Sequence, residues 1–441
     1  MRDYALTAFI FGSIPFILWR PWIGALMWVW IGLMNPHRLT WNFAFNMPFA
    51  QVVAIATLVG MLFSGEKFRI PWSPPVKLLF ALVAWMSVST YFAIDTTDAF
   101  PQWQKVMKIQ FMTFIVMMLI ADRKRLEALV WVAALSLAFY GVKGGIYTFT
   151  GGGSNQVLGP EGSFIEGNTE IGLALVMALP LVRVMQMSAQ RRAVRWALGL
   201  AMLLTGLAIL GTQSRGAFLG AAAMAIMLWI KSRKKAMLFV MLIAAVPALL
   251  VVMPDSWFTR MEGIGSYEQD RSAMGRLYAW EFAFRMAVKH PLVGGGFASF
   301  TPENYAVYAP DLTEAVNEKG AVADAHSVYF QVLGHHGFVG LAIFLALLAA
   351  MWQSAARVMR ATRAREDLRW AYDTAAMSQV SLVGFMVAGA FLGLAYFDLL
   401  YTLLAIIAIT ESLVRRGHGT IPAVASTADA VGAAQQQPLR P

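Results

Sequence analysis

The sequence predicts an all-α integral membrane protein with about twelve transmembrane helices and one long, partly helical loop outside the membrane. Of its 441 residues, 58% are hydrophobic and 14% are charged, and the mean hydropathy is +0.59. Soluble proteins contain more charge and less apolar sequence. Apolar runs of spanning length recur along residues 1–417, whereas residues 418–441 are rich in small and polar residues. We therefore expect one transmembrane domain followed by a disordered cytoplasmic tail.

The chain begins with two short apolar runs, at about residues 4–18 and 21–35, among thirteen such runs. Arg20 and Pro21 separate the two, which predicts a broken helix or a tight hairpin. No small-residue cleavage site follows the first run, so we interpret it as a retained anchor and not as a signal peptide. The chain has no cysteine, which excludes disulfides and thiolate metal sites.

The net charge of +10 comes from short basic clusters that alternate with the apolar runs, a pattern typical of membrane topology and not of nucleic-acid binding. The positive-inside rule makes these clusters cytoplasmic: residues 123–125, 191–195, 231–235, 357–365 and 415–416. The segments that then face outward are residues 93–102, 147–168, 212–216, 255–325 and 396–398. The longest of them carries ten acidic and six basic residues, a net charge of −4. Basic residues on the outer side are therefore few, and each one needs an explanation.

Arg215 lies between two apolar runs in LAILGTQSRGAFLGAAA. The 36 residues from Arg195 to Lys231 would form about 54 Å of straight helix, against a hydrocarbon core of about 30 Å. We therefore predict two antiparallel helices with an outer turn at residues 212–216. Ser214 would cap the returning helix and place Arg215 in its first turn, where free backbone N–H groups favour an anion. The alternative is an arginine that extends to the lipid headgroups.

The large outer segment, residues 255–325, contains a helix predicted over residues 274–289 and ended by the proline that follows. One face of this helix carries Arg276, Trp280, Ala283 and Ala287. Arg285 lies nine residues from Arg276, about half a revolution away, so the two arginines are not expected to serve one site. We favour Arg276, on the small and aromatic face, and interpret Arg285 as a solvated charge.

The same outer segment ends in ADAHSVYF, where we expect a helix to begin near Ala325 with His326 in its first turn. The positive end of a helix dipole disfavours imidazolium, so we expect a neutral imidazole that accepts a proton from an alcohol. The alternative is a capping or hydrogen-bonded structural histidine. His335 and His336 follow without a carboxylate at a recognised ligand spacing, so we expect them at the membrane interface and not at a metal site.

Two further outer stretches supply candidates for substrate binding. In GSFIEGN, Asn168 is a candidate N-cap of the span that follows, and both Asn168 and Phe164 are candidate ligand contacts. In VGGGFASF, a tight turn exposes backbone groups, which makes Gly294 and Gly296 candidates as well.

Four stretches in this order resemble motifs of the O-antigen ligases: GSFIEGN, TQSRGA, GRLYAWEFAF with HPLVGGGFASF, and HSVYFQVLGHHGFVG. That family belongs to a superfamily shared with O-antigen polymerases and bacterial protein O-oligosaccharyltransferases. The resemblance covers roughly residues 75–415, and WIGLMNPHRLTW is similar to a subgroup described as O-glycosylation ligases. The chain departs from the family pattern at His335, where many members carry glutamate, so the resemblance implies no accessory acid there.

The resemblance implies a GT-C-like fold and a glycosyltransferase of the bacterial inner membrane that works without a cofactor. The implied donor is a glycan on undecaprenyl diphosphate, and the implied acceptor is a sugar hydroxyl of lipid A-core on the periplasmic side. Two arginines suit a diphosphate leaving group, and a neutral histidine suits a hydroxyl nucleophile. The expected catalytic residues are Arg215, Arg276 and His326, and the expected substrate contacts are Ser214, Trp280, Asn168, Phe164, Gly294 and Gly296.

Several alternatives and exclusions accompany this interpretation. An O-antigen polymerase or a protein O-oligosaccharyltransferase would use the same donor, and only the acceptor separates them from a ligase. A transporter is disfavoured, because the predicted spans contain few charged residues and no internal repeat is visible. The outer segments contain no D-x-D motif, so we expect a metal-independent, inverting displacement. Membrane lipids are expected contacts, and nucleic acid is not an expected partner.

Overall fold

A computed structural model of the chain describes residues 1–232, 235–236, 254, 257, 271–312 and 324–417. The secondary structure of these residues consists of helices and turns, as the sequence predicts. The helices are α1 (Arg2–Trp19), α2 (Pro21–Met34), α3 (Phe49–Phe63), α4 (Pro74–Tyr91), α5 (Thr96–Leu119), α6 (Arg123–Thr150), α7 (Asn168–Ser188), α8 (Arg192–Gly211), α9 (Arg215–Lys231), α10 (Arg271–Lys289), α11 (Pro302–Tyr308), α12 (Val328–Thr362), α13 (Arg369–Ala388) and α14 (Asp398–Gly417). The predicted disordered tail, residues 418–441, lies outside the described residues.

Several helices are suited to cross a membrane. Within the described residues, five helical stretches are long and apolar enough for this: α6, α7, α8, α12 and Glu366–Phe391, which contains α13. The shorter helices α2 and α3 are apolar as well. The prediction of an all-helical, polytopic membrane protein is therefore confirmed. The predicted number of twelve spans stays a prediction, because most of residues 233–270 lie outside the described part of the chain.

The first two apolar runs form a tight hairpin, as Arg20 and Pro21 predict. The helix α1 ends at Trp19 and α2 begins at Pro21. The Asp3 carboxylate, near the start of α1, accepts hydrogen bonds of 3.0 Å and 3.2 Å from the backbone N–H groups of Asn42 and Ala44. Since these two residues follow the end of α2, the start of α1 lies beside that end, and the two helices are antiparallel.

Connections from different parts of the sequence meet at one end of the helix bundle, which we call the basic end. Arg125 and Arg20 contact the Glu66 carboxylate at 2.7 Å and 3.7 Å, and hydrogen bonding to Arg125 lowers the pKa of Glu66. Arg416 lines a cavity together with Lys67 and Ala121, which lie next to Glu66 and to the start of α6. Cations from two predicted cytoplasmic clusters, residues 123–125 and 415–416, therefore lie at the same end, as the predicted topology requires.

The opposite end, which we call the site end, gathers the segments predicted to face outward. The backbone N–H of Ile94, between α4 and α5, donates to the carbonyl of Gly295, after α10, at 3.0 Å. The connection between α6 and α7 contacts the turn between α8 and α9 at the same end, because Val157 N–H donates to the carbonyl of Gly211 at 2.9 Å. These two contacts join connections that are all predicted to face outward.

Small residues allow α6 and α8 to approach closely, as is common for helices packed in membranes. A Cβ added to Gly145 on α6 would lie 2.1 Å from the carbonyl oxygen of Leu204 on α8. A Cβ added to Gly141 would lie 2.3 Å from the hydroxyl oxygen of Thr205. Any larger residue at Gly145 would therefore force the two backbones apart.

We expect Gly145→Ala to destabilise the folded protein by about 1–3 kcal/mol, because the added methyl group meets backbone atoms that have no room to move. The measurement is the thermal midpoint of the detergent-solubilised protein. The matched control is Gly206→Ala on α8, where an added Cβ meets no atom within 4 Å. An equal loss of stability in both variants would contradict the packing argument.

Candidate functional site

The turn between α8 and α9 presents Arg215 at the site end, and its predicted geometry is confirmed. The helix α8 ends at Gly211 and α9 begins at Arg215. Ser214 is the N-cap of α9, and its hydroxyl oxygen accepts a hydrogen bond of 3.2 Å from the backbone N–H of Ala217. Arg215 is therefore the first residue of a helix, is partly exposed, and lies beside backbone N–H groups that favour an anion.

Asn168 connects the GSFIEGN stretch to this turn, but not in the predicted way. The prediction that Asn168 caps α7 is wrong, because Gly167 occupies the N-cap position and Asn168 is the first helical residue. Its side-chain amide instead donates a hydrogen bond of 2.9 Å to the carbonyl of Thr212. Carbonyl groups at a helix end lack partners within the helix, so the amide satisfies one of them. The bond holds the start of α7 against the turn that precedes Arg215.

The helix α10 carries Arg276 and has the predicted two faces. It begins at Arg271, three residues before the predicted start, and ends at Lys289. On the predicted inner face Ala283 and Ala287 are fully buried, and Arg276 is partly exposed.

Arg285 lies on the other face of α10 and behaves as the predicted surface charge. It donates hydrogen bonds to Asp311 and Glu281, and these bonds raise its pKa.

Trp280 joins α10 to the segment that contains His326. Its indole N–H donates a hydrogen bond of 2.8 Å to the carbonyl of Ala325. Its ring stacks on Phe330 with 5.1 Å between ring centroids and 6° between planes. Trp280 is one turn of helix after Arg276, so these contacts bring the Arg276 helix to the residue next to His326.

His326 does not lie in a helix, so its predicted position in a first turn is wrong. The helix α12 begins at Val328, and Ser327 takes the N-cap position with an extended backbone. His326 precedes this cap in the left-handed region, with φ of 41°, and is partly exposed. The side-chain carboxylate of Asp324 accepts a hydrogen bond of 2.7 Å from the N–H of Ala325.

A short turn after α13, Gly389–Phe391, lies between the Arg215 and His326 segments. A Cβ added to Gly216, the residue after Arg215, would lie 3.1 Å from the Cβ of Phe391. A Cβ added to Gly389 would lie 3.1 Å from a side-chain carbon of Val328. The start of α9 and the start of α12 thus contact the same three-residue turn from two directions.

The glycine-rich stretch after α10 packs into a break in α12. The break occurs at Gly337, whose φ of 67° and ψ of −169° are not helical. The N–H groups of Gly295 and Gly296 donate to the carbonyls of Gly334 and His335, at 2.8 Å and 3.0 Å. Helix carbonyls that the break leaves without a partner are satisfied in this way.

Close packing explains why this stretch is rich in glycine. Gly294 and Gly296 both have positive φ, and a Cβ on Gly294 would lie 2.6 Å from the Gly334 carbonyl oxygen. Both glycines are buried. Packing therefore accounts for them, and their contact with substrate stays a prediction.

His335 and His336 are buried inside the bundle, so their predicted position at the membrane interface is wrong. Tyr396 Oη lies 3.0 Å from His335 Nδ1 and 2.8 Å from His336 Nε2, and Ser89 Oγ lies 2.6 Å from His336 Nδ1. Ser89 donates its own proton to the Met86 carbonyl. One arrangement of protons satisfies every bond: His335 donates to Tyr396, Tyr396 to His336, and His336 to Ser89.

The histidine network also connects neighbouring segments of the bundle. Among the residues described, no group of three or more His, Asp or Glu side chains is arranged to hold a metal ion. The indole N–H of Trp85 donates to the carbonyl of His336 at 3.0 Å, next to the break in α12. The network therefore ties α4 and the Tyr396 segment to the broken helix.

The sequence argument missed two cations that lie against the GSFIEGN stretch. The ammonium group of Lys105, on α5, lies 3.9 Å from the ring centroid of Phe164. A Cβ added to Gly162 would lie 3.1 Å from the guanidinium carbon of Arg38. Both lie outside the segments predicted to face outward, so the search for outer cations that singled out Arg215 did not reach them.

Family models match two parts of the chain. A family model described as O-Antigen ligase matches residues 200–345, which contain Arg215, Arg276 and His326. A family of unknown function, DUF5935, matches residues 1–190, which contain Arg38, Lys105 and the GSFIEGN stretch. No curated protein matches the chain.

The two matched regions are not independent in the fold, because Asn168 in the first donates its hydrogen bond to Thr212 in the second. Residues 200–345, whose helix starts meet at the site end, match the O-antigen ligase family model, and this match supports membership of that family.

Proposed function

We propose that this protein transfers a glycan from undecaprenyl diphosphate to a sugar hydroxyl of lipid A-core, at the periplasmic face of the bacterial inner membrane. One observation carries the proposal. The starts of α9 and α12 contact the same turn at Gly389–Phe391, and Trp280 bonds to Ala325 at 2.8 Å, which gathers the segments of Arg215, His326 and Arg276 at one end of the bundle. The family match over residues 200–345 supports the same class of reaction.

The two arginines stabilise the leaving group. A glycan on a lipid diphosphate departs when the bond between its anomeric carbon and the phosphate oxygen breaks, and the electron pair stays on the diphosphate. Guanidinium groups match phosphate geometry and remain charged, so Arg215 and Arg276 oppose the developing negative charge. The free N–H groups at the start of α9 add to this field on the Arg215 side.

His326 acts as the general base. The acceptor hydroxyl oxygen forms the new bond to the anomeric carbon, and its proton moves to the imidazole of His326. A single displacement of this kind inverts the configuration at that carbon. The left-handed backbone of His326 costs about 1 kcal/mol, and it projects this partly exposed residue from a turn ahead of the α12 cap.

The proposed substrate contacts belong to the segments that carry the two arginines and His326. Several of them also make contacts that stabilise the fold. Ser214 caps α9, and Trp280 stacks on Phe330. Asn168 binds the Thr212 carbonyl, and Phe164 packs on Lys105. We infer that these residues shape the site and contact the glycan at its edges, while charge stabilisation falls to the arginines.

We expect Arg215→Ala and His326→Ala each to lower the turnover of glycan transfer by about 10²–10³-fold, because each removes a group that stabilises the transition state. The measurement is transfer by purified protein in proteoliposomes. Near-normal turnover in a correctly inserted variant would remove that residue from the mechanism.

The matched control for arginine is on α10. Arg276→Gln is expected to lower turnover strongly, whereas Arg285→Gln removes the same charge from the opposite face and is expected to leave turnover near that of the unmodified protein. Equal losses in the two variants would indicate an effect on the helix and not on the reaction.

The acceptor is tested by reconstitution with lipid-linked glycan and one of three partners: lipid A-core without O-antigen, no further acceptor, or a pilin-like protein. We expect product only with lipid A-core. Elongation of the lipid-linked glycan alone would indicate a polymerase, and glycosylation of serine or threonine would indicate a protein ligase; either result would contradict the proposed acceptor.

Transfer is expected to continue at an unchanged rate after treatment with a metal chelator, because the guanidinium groups of Arg215 and Arg276 supply the charge stabilisation that a metal ion would supply at a phosphoryl oxygen. The measurement is initial rate with and without chelator. A loss that added divalent metal restores would overturn the metal-independent mechanism.

A further inference from the structure

A cavity at the basic end has the composition of a binding site, and it lies at the opposite end of the bundle from the proposed reaction. It has a volume of about 240 Å³ and lies between the segment before α4 and the last turns of α14. Trp72, Ser73, Glu411, Arg415 and Arg416 are among the residues that line it. Drug-sized ligands occupy larger pockets, of about 300–1,000 Å³, so this cavity suits a small polar group.

The cavity contains a surplus of positive charge. Arg415 and Arg416 both line it, and a smaller adjoining cavity that shares Arg416 adds Lys67 and Arg69. Glu411 is the acidic residue in the lining of the two cavities. The combined lining of the two cavities therefore holds four cations and one carboxylate, so its net positive charge attracts an anion.

Ser73 provides a buried donor that has no partner. Its residue is 5% exposed, and its hydroxyl oxygen is buried without a hydrogen bond. Ser73 is the N-cap of α4, where the side chain would ordinarily accept a backbone N–H, but the residue at N2 is Pro75, which has no N–H, and no cap bond to Val76 at N3 forms. A buried hydroxyl without a partner is unfavourable by about 1–3 kcal/mol, which a ligand oxygen would relieve.

Glu411 also has an unused atom. Its Oε1 accepts hydrogen bonds of 2.9 Å from Arg357 and 2.6 Å from Arg415, whereas Oε2 is buried without a partner. Glu411 is 3% exposed, so this oxygen lacks a solvent partner as well. The lining thus offers cations and a hydroxyl for an anion, and one carboxylate oxygen for a neighbouring donor.

We propose that this cavity binds the phosphate headgroup of a membrane phospholipid. The phosphate accepts hydrogen bonds from Arg416 and Ser73, and an amino or hydroxyl group of the headgroup donates to Glu411 Oε2. Trp72, which is 52% exposed, and Ile70 lie at the same opening and suit the boundary between headgroups and acyl chains. Basic pockets between helices on the cytoplasmic side of membrane proteins bind such headgroups.

The test uses the full chain, purified in detergent, with bound phospholipid measured by native mass spectrometry. Phosphatidylethanolamine, phosphatidylglycerol and a glycosyl diacylglycerol, which has no phosphate, are added separately. We expect both phospholipids to bind and the phosphate-free lipid not to bind. Tighter binding of phosphatidylethanolamine would identify the zwitterionic headgroup as the occupant, and tighter binding of phosphatidylglycerol the anionic one.

Variants locate the site. Arg416→Gln is expected to weaken phospholipid binding about fivefold, which corresponds to about 1 kcal/mol for one cation, and Ser73→Ala is expected to weaken it as well. Arg363→Gln is the matched control, because Arg363 is exposed between α12 and α13 and is absent from the lining of both cavities.

Equal binding by Arg416→Gln and Arg363→Gln, or equal binding of the phosphate-free lipid, would overturn the proposal. Lipid binding is measured without glycan transfer, so its failure would not affect the proposed function.

Discussion

The break in α12 is the constraint on which the site end depends. A helix that breaks at Gly337 leaves backbone groups without partners inside the bundle, and those groups must be satisfied there. The stretch after α10 provides the donors through Gly295 and Gly296. That pairing fixes the end of α10 relative to α12, and Trp280 fixes its middle through Ala325. These backbone bonds and the Trp280 indole therefore position the segments that carry Arg276 and His326.

Burial explains why the histidine network is so completely bonded. A polar side chain inside an apolar bundle is unfavourable unless its donors and acceptors are paired. Tyr396 meets both His335 and His336, and Ser89 meets the remaining nitrogen of His336. The protons of His335, His336 and Tyr396 therefore lie in structural hydrogen bonds. His326 is partly exposed, so it is the histidine of this segment that is suited to exchange a proton with a substrate.

The two ends of the bundle use charge differently. At the site end, Arg215 begins a helix whose N–H groups add to its positive field, and Lys105 and Arg38 lie against the neighbouring GSFIEGN stretch. At the basic end, the carboxylates of Glu66 and Glu411 each pair with two arginines.

Local patterns in the sequence determined the features that arise within a few residues. The hairpin at Arg20, the Ser214 cap and the two faces of α10 all follow from proline chemistry, capping and helical period, which operate over one or two turns. Tertiary structure decided the rest. The Asn168 amide bonds to a carbonyl 44 positions away, and His336 bonds to Ser89 across 247 positions. Asn168 could have capped its own helix, and His326 could have joined α12, had local preference alone acted. Buried backbone N–H and C=O groups must be paired, and which of them lack a partner is decided only when the helices pack. The positions of Asn168 and His326 therefore depend on the packed structure and not on local sequence.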